Sequence, residues 1–178
     1  MTREEELALI EASKKEPGAF RPLYQKYYGQ ILGYVAKKIG NTTLAEEITS
    51  DVFFKALTKI NLFRPSGHSI SPWLYKIALN EIRMYFRKTQ KENYLFDRKT
   101  LVEPLHLFEL PGDHEVLERL EKILLQQKEK DLTLLELRFY QGLKFEEVGQ
   151  VLGMSHENAK KRTYRLLEKL RTELMEKA

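Results

Sequence analysis

The sequence predicts an all-α fold made of two small helical domains joined by an irregular linker. Apolar residues recur every three or four positions through most of the 178 residues, which is the spacing of amphipathic helices. No segment alternates apolar and polar residues in the way that a half-buried strand does. Midway along the chain the helical period fails, and Pro104 and Pro111 interrupt it. We therefore predict domains at residues 1–90 and 113–178, with the linker at residues 91–112.

Composition and charge exclude several classes of protein. No apolar stretch approaches the roughly 20 residues that a membrane-spanning helix needs, and the charged N-terminus is unlike a secretory signal. Cysteine is absent, which excludes disulfides and thiolate metal sites and fits a reducing compartment. The four histidines are scattered, without metal-ligand or catalytic-triad spacing. We therefore expect a cytoplasmic protein that is not inserted in a membrane, is not an enzyme, and holds neither a metal nor a cofactor.

Two helices are predicted at the start of the chain. Thr2 and Glu5 have the spacing of a capping box for the first helix, which stops before Pro17. A long second helix begins near Ala19 and is closed by Gly40. Its apolar residues recur on one face that we expect to be buried: Phe20, Leu23, Tyr27, Ile31, Val35 and Ile39.

Two further helices complete the predicted first domain. Thr43 is predicted to cap the third helix, with Glu46 completing a capping box. A loop rich in helix breakers, residues 61–70, leads to the fourth helix, for which Ser71 is the predicted N-cap and Pro72 the first helical residue. The residues predicted to face inward are Leu44, Ile48, Val52 and Ala56 on the third helix and Trp73, Ile77, Ala78, Ile82 and Tyr85 on the fourth.

The second domain is also predicted to hold four helices. The first carries an apolar stripe, and the second spans Leu132–Tyr140, capped by Asp131 and ended at Gly142. The third spans Phe145–Leu152, and the fourth runs from His156 to near the C-terminus. The stripe of the first helix consists of Val116, Leu117, Leu120, Ile123 and Leu124.

The last two predicted helices have the spacing of a helix-turn-helix. Gly149 stands where the two backbones would touch, and Gly153 stands in the turn, where a positive φ is needed. Ser155 is placed to cap the second helix, and Ala159 faces the crossing. The small core beneath the crossing is predicted to comprise Val148, Leu152 and Met154. The pattern favours a motif that reads duplex DNA over the alternative, a plain helical hairpin with a solvated basic face.

The outward face of the second helix in this motif carries the candidate DNA contacts. A recognition helix inserted by its N-terminal part presents its outward residues to base edges in the major groove. Basic residues further along are better placed for phosphates, which fix register but carry little sequence information. The candidates near base edges are His156, Glu157, Lys160, Lys161 and Tyr164, those near phosphates are Arg162, Arg165 and Lys169, and the capping Ser155 is a further candidate for DNA binding.

The third predicted helix combines acids with aromatic residues. Its polar face carries Glu46, Glu47 and Asp51. Either Phe53 or Phe54 must lie near the surface. An exposed aromatic residue beside carboxylates suits an interface with a basic partner. An ordinary helix with acids near its N-terminus, where the macrodipole favours them, explains the pattern equally well.

The fourth predicted helix interleaves basic and aromatic residues. Basic side chains can follow phosphates while an aromatic ring stacks on an unpaired base, an arrangement typical of single-stranded nucleic-acid binding. The alternative is that the aromatic residues belong to the core and the cations are solvated. Asn80, at the boundary of the apolar face, either reads a base edge or satisfies a local amide. The candidate residues are Trp73, Tyr75, Asn80, Arg83, Arg87 and Lys88.

Taken in order, these segments resemble bacterial RNA polymerase sigma factors of the extracytoplasmic-function (ECF) class. FRPLYQKYYGQILGYVAKKI and AEEITSDVFFKAL are similar to the opening and the polymerase-binding helix of sigma domain two. PWLYKIALNEIRMYFRK is similar to the helix of that domain that melts the promoter and reads the minus-10 element. LTLLELRFYQGLKFEEVGQVLGMSHENAKKRTYRLLEKLR is similar to sigma domain four, which reads the minus-35 element. Met84 and Gly149 stand where the family commonly has an acid and an alanine.

The resemblance implies a promoter-specificity subunit that directs RNA polymerase to promoters and starts transcription. It implies that the third helix docks on the polymerase through Glu46, Glu47, Asp51 and Phe54. It also implies that the fourth helix holds the minus-10 strand as it opens. The implied partners are the RNA polymerase core, promoter DNA and, by family habit, an anti-sigma factor. The alternative is a stand-alone helix-turn-helix transcriptional regulator whose N-terminal domain senses a ligand or dimerises.

Overall fold

A computed structural model describes residues 1–65, 67–89 and 114–176 of the chain. The chain divides into two compact units, Met1–Leu95 and Phe96–Ala178. Every regular element in the described ranges is helical, which confirms the predicted all-α fold with two helical domains. The predicted linker, residues 91–112, lies outside the described residues, so the domain boundaries stay a prediction. None of the described helices is long and apolar enough to cross a membrane.

The described part of the first unit contains four α-helices. They are α1 (Arg3–Ser13), α2 (Arg21–Ile39), α3 (Thr42–Thr58) and α4 (Ser71–Thr89). Short 3-10 turns precede α2, at Pro17–Phe20, and follow α3, at Ile60–Leu62. α2 packs against both α3 and α4, and α3 also packs against α4. The three longer helices therefore share one core, which α1 joins through the first 3-10 turn and α2.

Local hydrogen bonds explain where the first two helices begin and end. The Glu5 N–H donates to Thr2 Oγ1 at 3.2 Å, and the Thr2 N–H donates to Glu5 Oε2 at 2.7 Å, which confirms the predicted capping box. α2 ends where Gly40 adopts a φ of 67°, a left-handed conformation that glycine adopts without steric strain. All the apolar residues predicted for the inner face of α2 are buried, which confirms that face.

Two predicted helix starts in the first unit are wrong. α3 is capped by Asn41, whose Oδ1 accepts a hydrogen bond at 3.0 Å from the backbone N–H three residues on, and Thr43 lies inside the helix. Asn41 directly follows Gly40, so α3 begins as soon as α2 has ended, and asparagine caps at least as well as threonine. Ser71 is already helical, and the following proline is the second helical residue. The Ile70 carbonyl accepts from the N–H groups three and four residues on, at 3.0 and 3.1 Å, which makes Ile70 the N-cap.

The inward face of α4 is rotated from the predicted one. Ala78 and Ile82 are buried as predicted, but Trp73, Ile77 and Tyr85 are only half-buried. α4 packs against two helices at once, so its buried face is wider than one stripe and centres on different residues. The buried apolar residues that the prediction missed are Leu74, Tyr75, Leu79 and Phe86.

The described part of the second unit contains four α-helices and one π-helical segment. They are α5 (His114–Leu125), α6 (Glu129–Leu135), α7 (Phe145–Leu152) and α8 (His156–Glu176), with the π-helix Glu136–Tyr140 continuing α6. In the π-helix the Gln141 N–H donates to the Glu136 carbonyl, five residues back, at 2.9 Å. Gly142 follows with a φ of 68° and ends the segment, as predicted. One hydrophobic cluster in the core of this unit consists of Leu120, Ile123, Leu124, Leu132, Leu135, Leu166, Leu167, Leu170 and Leu174.

The start of α6 corrects the predicted cap. The helix begins at Glu129, and its N-cap is Lys128, whose side chain makes no capping hydrogen bond. Asp131 therefore lies in the first turn and does not cap the helix. An acid in the first turn is favoured by the helix macrodipole just as an acid at the N-cap is, so composition alone did not distinguish the two positions.

Candidate nucleic-acid interface

A tight turn joins α7 to α8. A Cβ atom built on Gly149 would lie 2.6 Å from the Met154 carbonyl oxygen, so a larger residue requires the backbone to move. The Met154 N–H donates to the Gly149 carbonyl at 2.9 Å, which fastens the turn to α7. Gly153 has a φ of 70°, the left-handed conformation predicted for the turn. Both glycines therefore have the structural roles that the sequence predicts for them.

The start of α8 is capped as predicted. Ser155 Oγ accepts a hydrogen bond from the Asn158 N–H at 3.2 Å. Ala159, in the first turn, is fully buried. The small core beneath the turn differs from the prediction: Val148 and Val151 are buried, whereas Leu152 and Met154 are half-buried. The predicted bounds of α7 and the predicted start of α8 agree with the structure.

Most of the predicted DNA contacts lie on the exposed side of α8. Residues Glu157, Lys161 and Tyr164 are spaced by four and three positions, so they share one face of the helix. The exposed candidates are Ser155, His156, Glu157, Lys160, Lys161, Tyr164, Arg165 and Lys169. The buried side consists of Ala159, Thr163, Leu166, Leu167, Leu170 and Leu174. The helix is therefore divided between a packed side and a polar side that is open to a ligand.

The first turn of α8 carries a negative charge. A hydrogen bond from its own backbone N–H, a second from the Ser155 hydroxyl and the electrostatic interaction with His156 together lower the pKa of the Glu157 carboxyl. His156 Nδ1 lies 2.9 Å from Glu157 Oε1. The exposed carboxylate is ionised at neutral pH and can only accept hydrogen bonds. Such a group suits the amino group of cytosine, whereas a phosphate repels it.

Arg162, a predicted phosphate contact, forms an ion pair within the second unit. Its Nε donates to Asp131 Oδ1 at 2.8 Å, which joins α8 to α6. The Asp131 side chain is 19% exposed and that of Arg162 is 36% exposed. Arg162 lies at the border between the exposed and buried sides of α8, where an acid on the neighbouring helix decides its direction. Its role in the structure is to hold the recognition helix against α6.

The exposed Tyr164 packs against an aromatic residue of α7. Its ring centroid lies 6.2 Å from that of Phe145, at the start of α7. The Arg138 guanidinium lies 4.9 Å from the Phe145 ring centroid, and its Nη1 donates to the Leu143 carbonyl at 3.1 Å. Tyr164 is therefore held beside α7 while 57% of it stays exposed.

On α4 most of the predicted candidates reach the surface. Asn80, Arg87 and Lys88 are exposed, and Trp73 and Arg83 are half-buried. The Trp73 ring packs against Phe63, with 5.3 Å between ring centroids, so it lies against the loop that precedes α4. These residues form a partly aromatic, basic surface along the solvent side of the helix.

Tyr75 is wrongly predicted to stack on a base. It is 0% exposed, and its ring lies edge-on to Tyr34 at a centroid distance of 5.1 Å. Gln30 Nε2 donates to Tyr75 Oη at 3.0 Å. A side chain enclosed in this way cannot contact DNA while the domain stays folded. Tyr75 belongs to the core between α4 and α2, which follows from the rotation of α4 described above.

α3 presents the predicted acidic and aromatic face. Glu46, Glu47 and Asp51 are all exposed. Phe54 is 66% exposed, whereas Phe53 is buried in the core. The structure therefore decides between the two candidate phenylalanines, and Phe54 is the one at the surface.

A shallow groove of about 200 Å³ lies between α3 and α4. Leu44, which was predicted to face inward, is half-buried at its edge, beside Met84 and Tyr85. Lys55 Nζ forms an ion pair with a carboxylate oxygen of Glu81, which fastens α3 to α4. The acidic face of α3 and the basic surface of α4 are thus held in a fixed orientation within the first unit.

Two exposed residues that the sequence prediction omitted belong on these surfaces. Asn158 stands beside Glu157 in the first turn of α8, and its carboxamide is a side chain that can bind adenine through two hydrogen bonds. Lys76 lies one helical turn before Asn80 on the exposed side of α4. The signals that could have found them were the N-terminal position of Asn158 and the four-residue spacing of Lys76 from Asn80.

Each of the two units matches a known protein family. Residues 23–92 match the family described as Sigma-70 region 2, and residues 125–172 match the one described as Sigma-70, region 4. The chain is 32% identical over 148 residues to RNA polymerase sigma factor YlaC of Bacillus subtilis, covering 79% of this chain and 83% of that protein. The chain belongs to the sigma-70 family of RNA polymerase sigma factors.

A second relative agrees with this assignment, and a solved structure shares the fold. The sigma factor is 26% identical over 175 residues to ECF RNA polymerase sigma factor SigW of Bacillus subtilis, covering 92% of this chain and 93% of that protein. A solved structure of the sigma factor RpoE in complex with the anti-sigma factor NepR from Bartonella quintana shares its fold, with a TM-score of 0.56. The sequence identity to RpoE is 18%, over 88% of this chain and 94% of that one.

The family assignment confirms the resemblance to ECF sigma factors and decides between the two predicted functions. This sigma factor directs RNA polymerase to promoters. The stand-alone regulator is not favoured, because the first unit matches Sigma-70 region 2 and not a sensor domain. Sigma factors as a family are initiation factors without enzymatic activity of their own.

Proposed function

We propose that this sigma factor contacts one promoter at two places and the RNA polymerase core at a third. α8 reads the minus-35 duplex, α4 and the loop before it hold the minus-10 strand as it opens, and α3 docks on the polymerase. The observation that carries the proposal is the exposed Phe54 among the carboxylates of α3. DNA repels such an acidic and apolar surface, so the surface is directed at a protein.

The proposed minus-35 contact divides between bases and phosphates. Glu157 accepts a hydrogen bond from a cytosine amino group, while Lys160 and Lys161 donate to guanine acceptor atoms. Arg165, further along α8, contacts the phosphate backbone and fixes the register of the helix in the groove. Ser155 acts through its cap, which holds the first turn in the shape that enters the groove.

The proposed minus-10 contact takes a single strand. Arg87 and Lys88 follow the phosphates, Asn80 binds the edge of an unpaired base, and the half-buried Trp73, packed on the buried Phe63, offers an aromatic surface beside it. Extruding a base from the duplex costs a few kcal/mol, which these contacts offset. The half-buried Arg83 lies between Asn80 and Arg87 and completes the basic surface.

The proposed polymerase contact has the composition of a protein interface. Phe54 supplies an apolar centre, and Glu46, Glu47 and Asp51 supply an acidic rim. An aromatic anchor contributes most of the binding energy in such an arrangement, and complementary charges guide association and fix orientation. The polymerase surface that it binds is therefore expected to be basic around an apolar pocket.

Association with purified core polymerase tests the proposal. Asp51→Arg and Phe54→Ala should each weaken holoenzyme formation by about tenfold or more, because each removes part of an interface anchor. Helicity and melting temperature should not change, since both side chains are exposed. The control is Glu16→Arg, the same type of charge reversal at an exposed position outside α3.

Undiminished holoenzyme formation by both α3 variants would remove this helix from the interface and refute the proposed docking. A second measurement is transcription from a genomic promoter library with purified core polymerase. Promoter-specific transcripts that depend on the sigma factor are expected. Tight binding of the free protein to promoter duplex without any such transcripts would contradict the proposed division of the promoter contacts.

An anti-sigma factor is a further proposed partner. The RpoE structure of similar fold contains one, and such a protein would inhibit by covering the surfaces that the polymerase or the promoter needs. We expect the sigma factor to act in the cytoplasm, where it meets the polymerase. We also expect it to catalyse no reaction and to need no cofactor or metal of its own.

A further inference from the structure

A buried carboxylate outside the surfaces described above ties three parts of the first unit together. Glu6, on α1, is 3% exposed. Its Oε2 accepts hydrogen bonds from Tyr27 Oη at 2.5 Å and from Lys26 Nζ at 3.0 Å, both on α2. Its Oε1 accepts from the Ile70 N–H at 2.7 Å. Both oxygens are used, and one of them holds a backbone group 64 residues further along the chain.

The surroundings of Glu6 favour its ionised form. Burial alone would raise the pKa of this carboxyl, but the hydrogen bonds from Tyr27, Ile70 and Lys26 outweigh burial and lower the pKa. Burial and the Glu6 carboxylate both raise the pKa of Tyr27, so its hydroxyl stays protonated and can donate. Hydrogen bonds to an ionised acceptor are roughly twice as strong as neutral ones, so this contact is firmly made.

The backbone group held by Glu6 stands at the junction between the loop and α4. Ile70 is the N-cap of α4, since its carbonyl accepts the first hydrogen bonds of the helix. Its own N–H, which points out of the helix, is the one bound to Glu6. Trp73, in the first turn, packs on Phe63 at the other side of the same loop. The Glu6 carboxylate therefore fixes the N-cap of α4, from which the first helical turn with Trp73 begins.

We propose that Glu6 is a positioning residue for the minus-10 contact. This inference rests on the proposed function, in which α4 and the loop before it hold the opened strand. By clamping Ile70, Glu6 keeps the loop and the first turn of α4 in one arrangement before the strand arrives. Less ordering is then needed on binding, which raises the affinity for the strand. Glu6 itself touches neither DNA nor polymerase in this arrangement, because it is buried.

The affinity of the holoenzyme for a single strand tests this role. The probe is an oligonucleotide with the non-template minus-10 sequence of a promoter that the holoenzyme transcribes, measured well below the melting temperature of every variant. Glu6→Ala should lower this affinity by about tenfold, the loss expected when a charged hydrogen bond is removed. Glu6→Gln should lower it by about threefold, since its amide oxygen still accepts from Ile70. Core polymerase affinity should stay unchanged in both variants.

A matched control separates positioning from general stability. Ile10 lies one turn along α1 from Glu6 and is also buried, so Ile10→Ala weakens the packing of α1 without removing the bond to Ile70. It should leave the strand affinity within about twofold of wild type. Tyr27→Phe should do the same, because it removes one donor from Glu6 and keeps the Ile70 contact. If Glu6→Ala does not fold, Glu6→Gln and Tyr27→Phe provide the comparison.

The outcomes are distinguishable. Equal losses for the Glu6 and Ile10 variants, or no loss for either Glu6 variant, would overturn the positioning role. A wild-type holoenzyme that does not bind the minus-10 strand would instead refute the proposed minus-10 contact, whatever the Glu6 variants do. A small loss of strand affinity for Glu6→Gln and a larger one for Glu6→Ala, with unchanged affinity for core polymerase, supports both the positioning role and the proposed minus-10 contact.

Discussion

The close approach at Gly149 makes a quantitative prediction for Gly149→Ala. The new Cβ would lie 2.6 Å from the Met154 carbonyl oxygen, and moving that contact out to 3.0 Å takes a backbone shift of at least about 0.4 Å. Overpacking of this kind costs about 1–3 kcal/mol. Replacing glycine by alanine inside a helix contributes about 0.5–1 kcal/mol in the opposite direction. The second unit should therefore lose about 1 kcal/mol of stability, or roughly 5 °C in melting temperature.

The same shift should impair function, because the Met154 carbonyl belongs to the turn that places α8. Binding of a minus-35 duplex by the holoenzyme should weaken by about fivefold, the equivalent of about 1 kcal/mol. The control is Gly33→Ala in α2, where a Cβ meets no atom within 4 Å and only the helix-forming gain remains. Thermal denaturation followed by circular dichroism measures both variants. If Gly149→Ala is stabilised like Gly33→Ala and keeps its affinity, the close approach is not what requires glycine here.

Three further results are expected. Asp131→Asn frees Arg162 for phosphates, so the plot of log affinity against log salt should steepen by about one, and stability should fall by at most about 1 kcal/mol because the pair is partly exposed. Because folding lowers the pKa of Glu6, its carboxylate contributes fully to stability above its ordinary pKa of 4.5, and this contribution disappears as the pH falls through the lower pKa of the folded state. Thermal denaturation at several pH values should therefore show a weaker loss of stability at acid pH for Glu6→Gln than for wild type. Lys160→Ala should relax the preference for one minus-35 base pair, whereas a uniform loss with a shallower salt slope would make Lys160 a phosphate contact.

The sequence predicts the helices of this protein better than their ends. Periodicity located the buried stripe of α2, the bounds of α7 and the start of α8 correctly, because apolar residues recur there at the regular spacing of a helix. Helix ends depend on which of several suitable residues forms the cap. Asn41 and Thr43 both suit an N-cap, and only the position of the preceding glycine made Asn41 the one used. Likewise Asp131 was suitable as a cap, but α6 begins two residues earlier, at Glu129, and the Asp131 side chain pairs with Arg162.

The candidate site could be predicted where the exposed side of a helix follows from the local sequence. The outward residues of α8 were found in this way, since the crossing with α7 fixes which side is packed. Tyr75 failed because its burial depends on Tyr34 and Gln30, contacts that lie more than 40 residues away in sequence. Glu6 carried no local signal because the contact on which its proposed positioning role depends is with Ile70, 64 residues further along the chain.

The charges on the DNA-directed faces bear on how the proposed contacts work together. The whole chain has a net charge of only +4, and α8 places the anionic Glu157 beside Lys160 and Lys161. Affinity for duplex of any sequence grows with the number of phosphates neutralised, so such a face binds weakly to random DNA. The carboxylate also penalises sites without a suitable donor, which adds discrimination at the expense of affinity. Two weak contacts become strong together once one polymerase holds both, because the second binding event is then effectively intramolecular. On this proposal, polymerase docking by α3 is what combines two weak DNA contacts into one specific interaction.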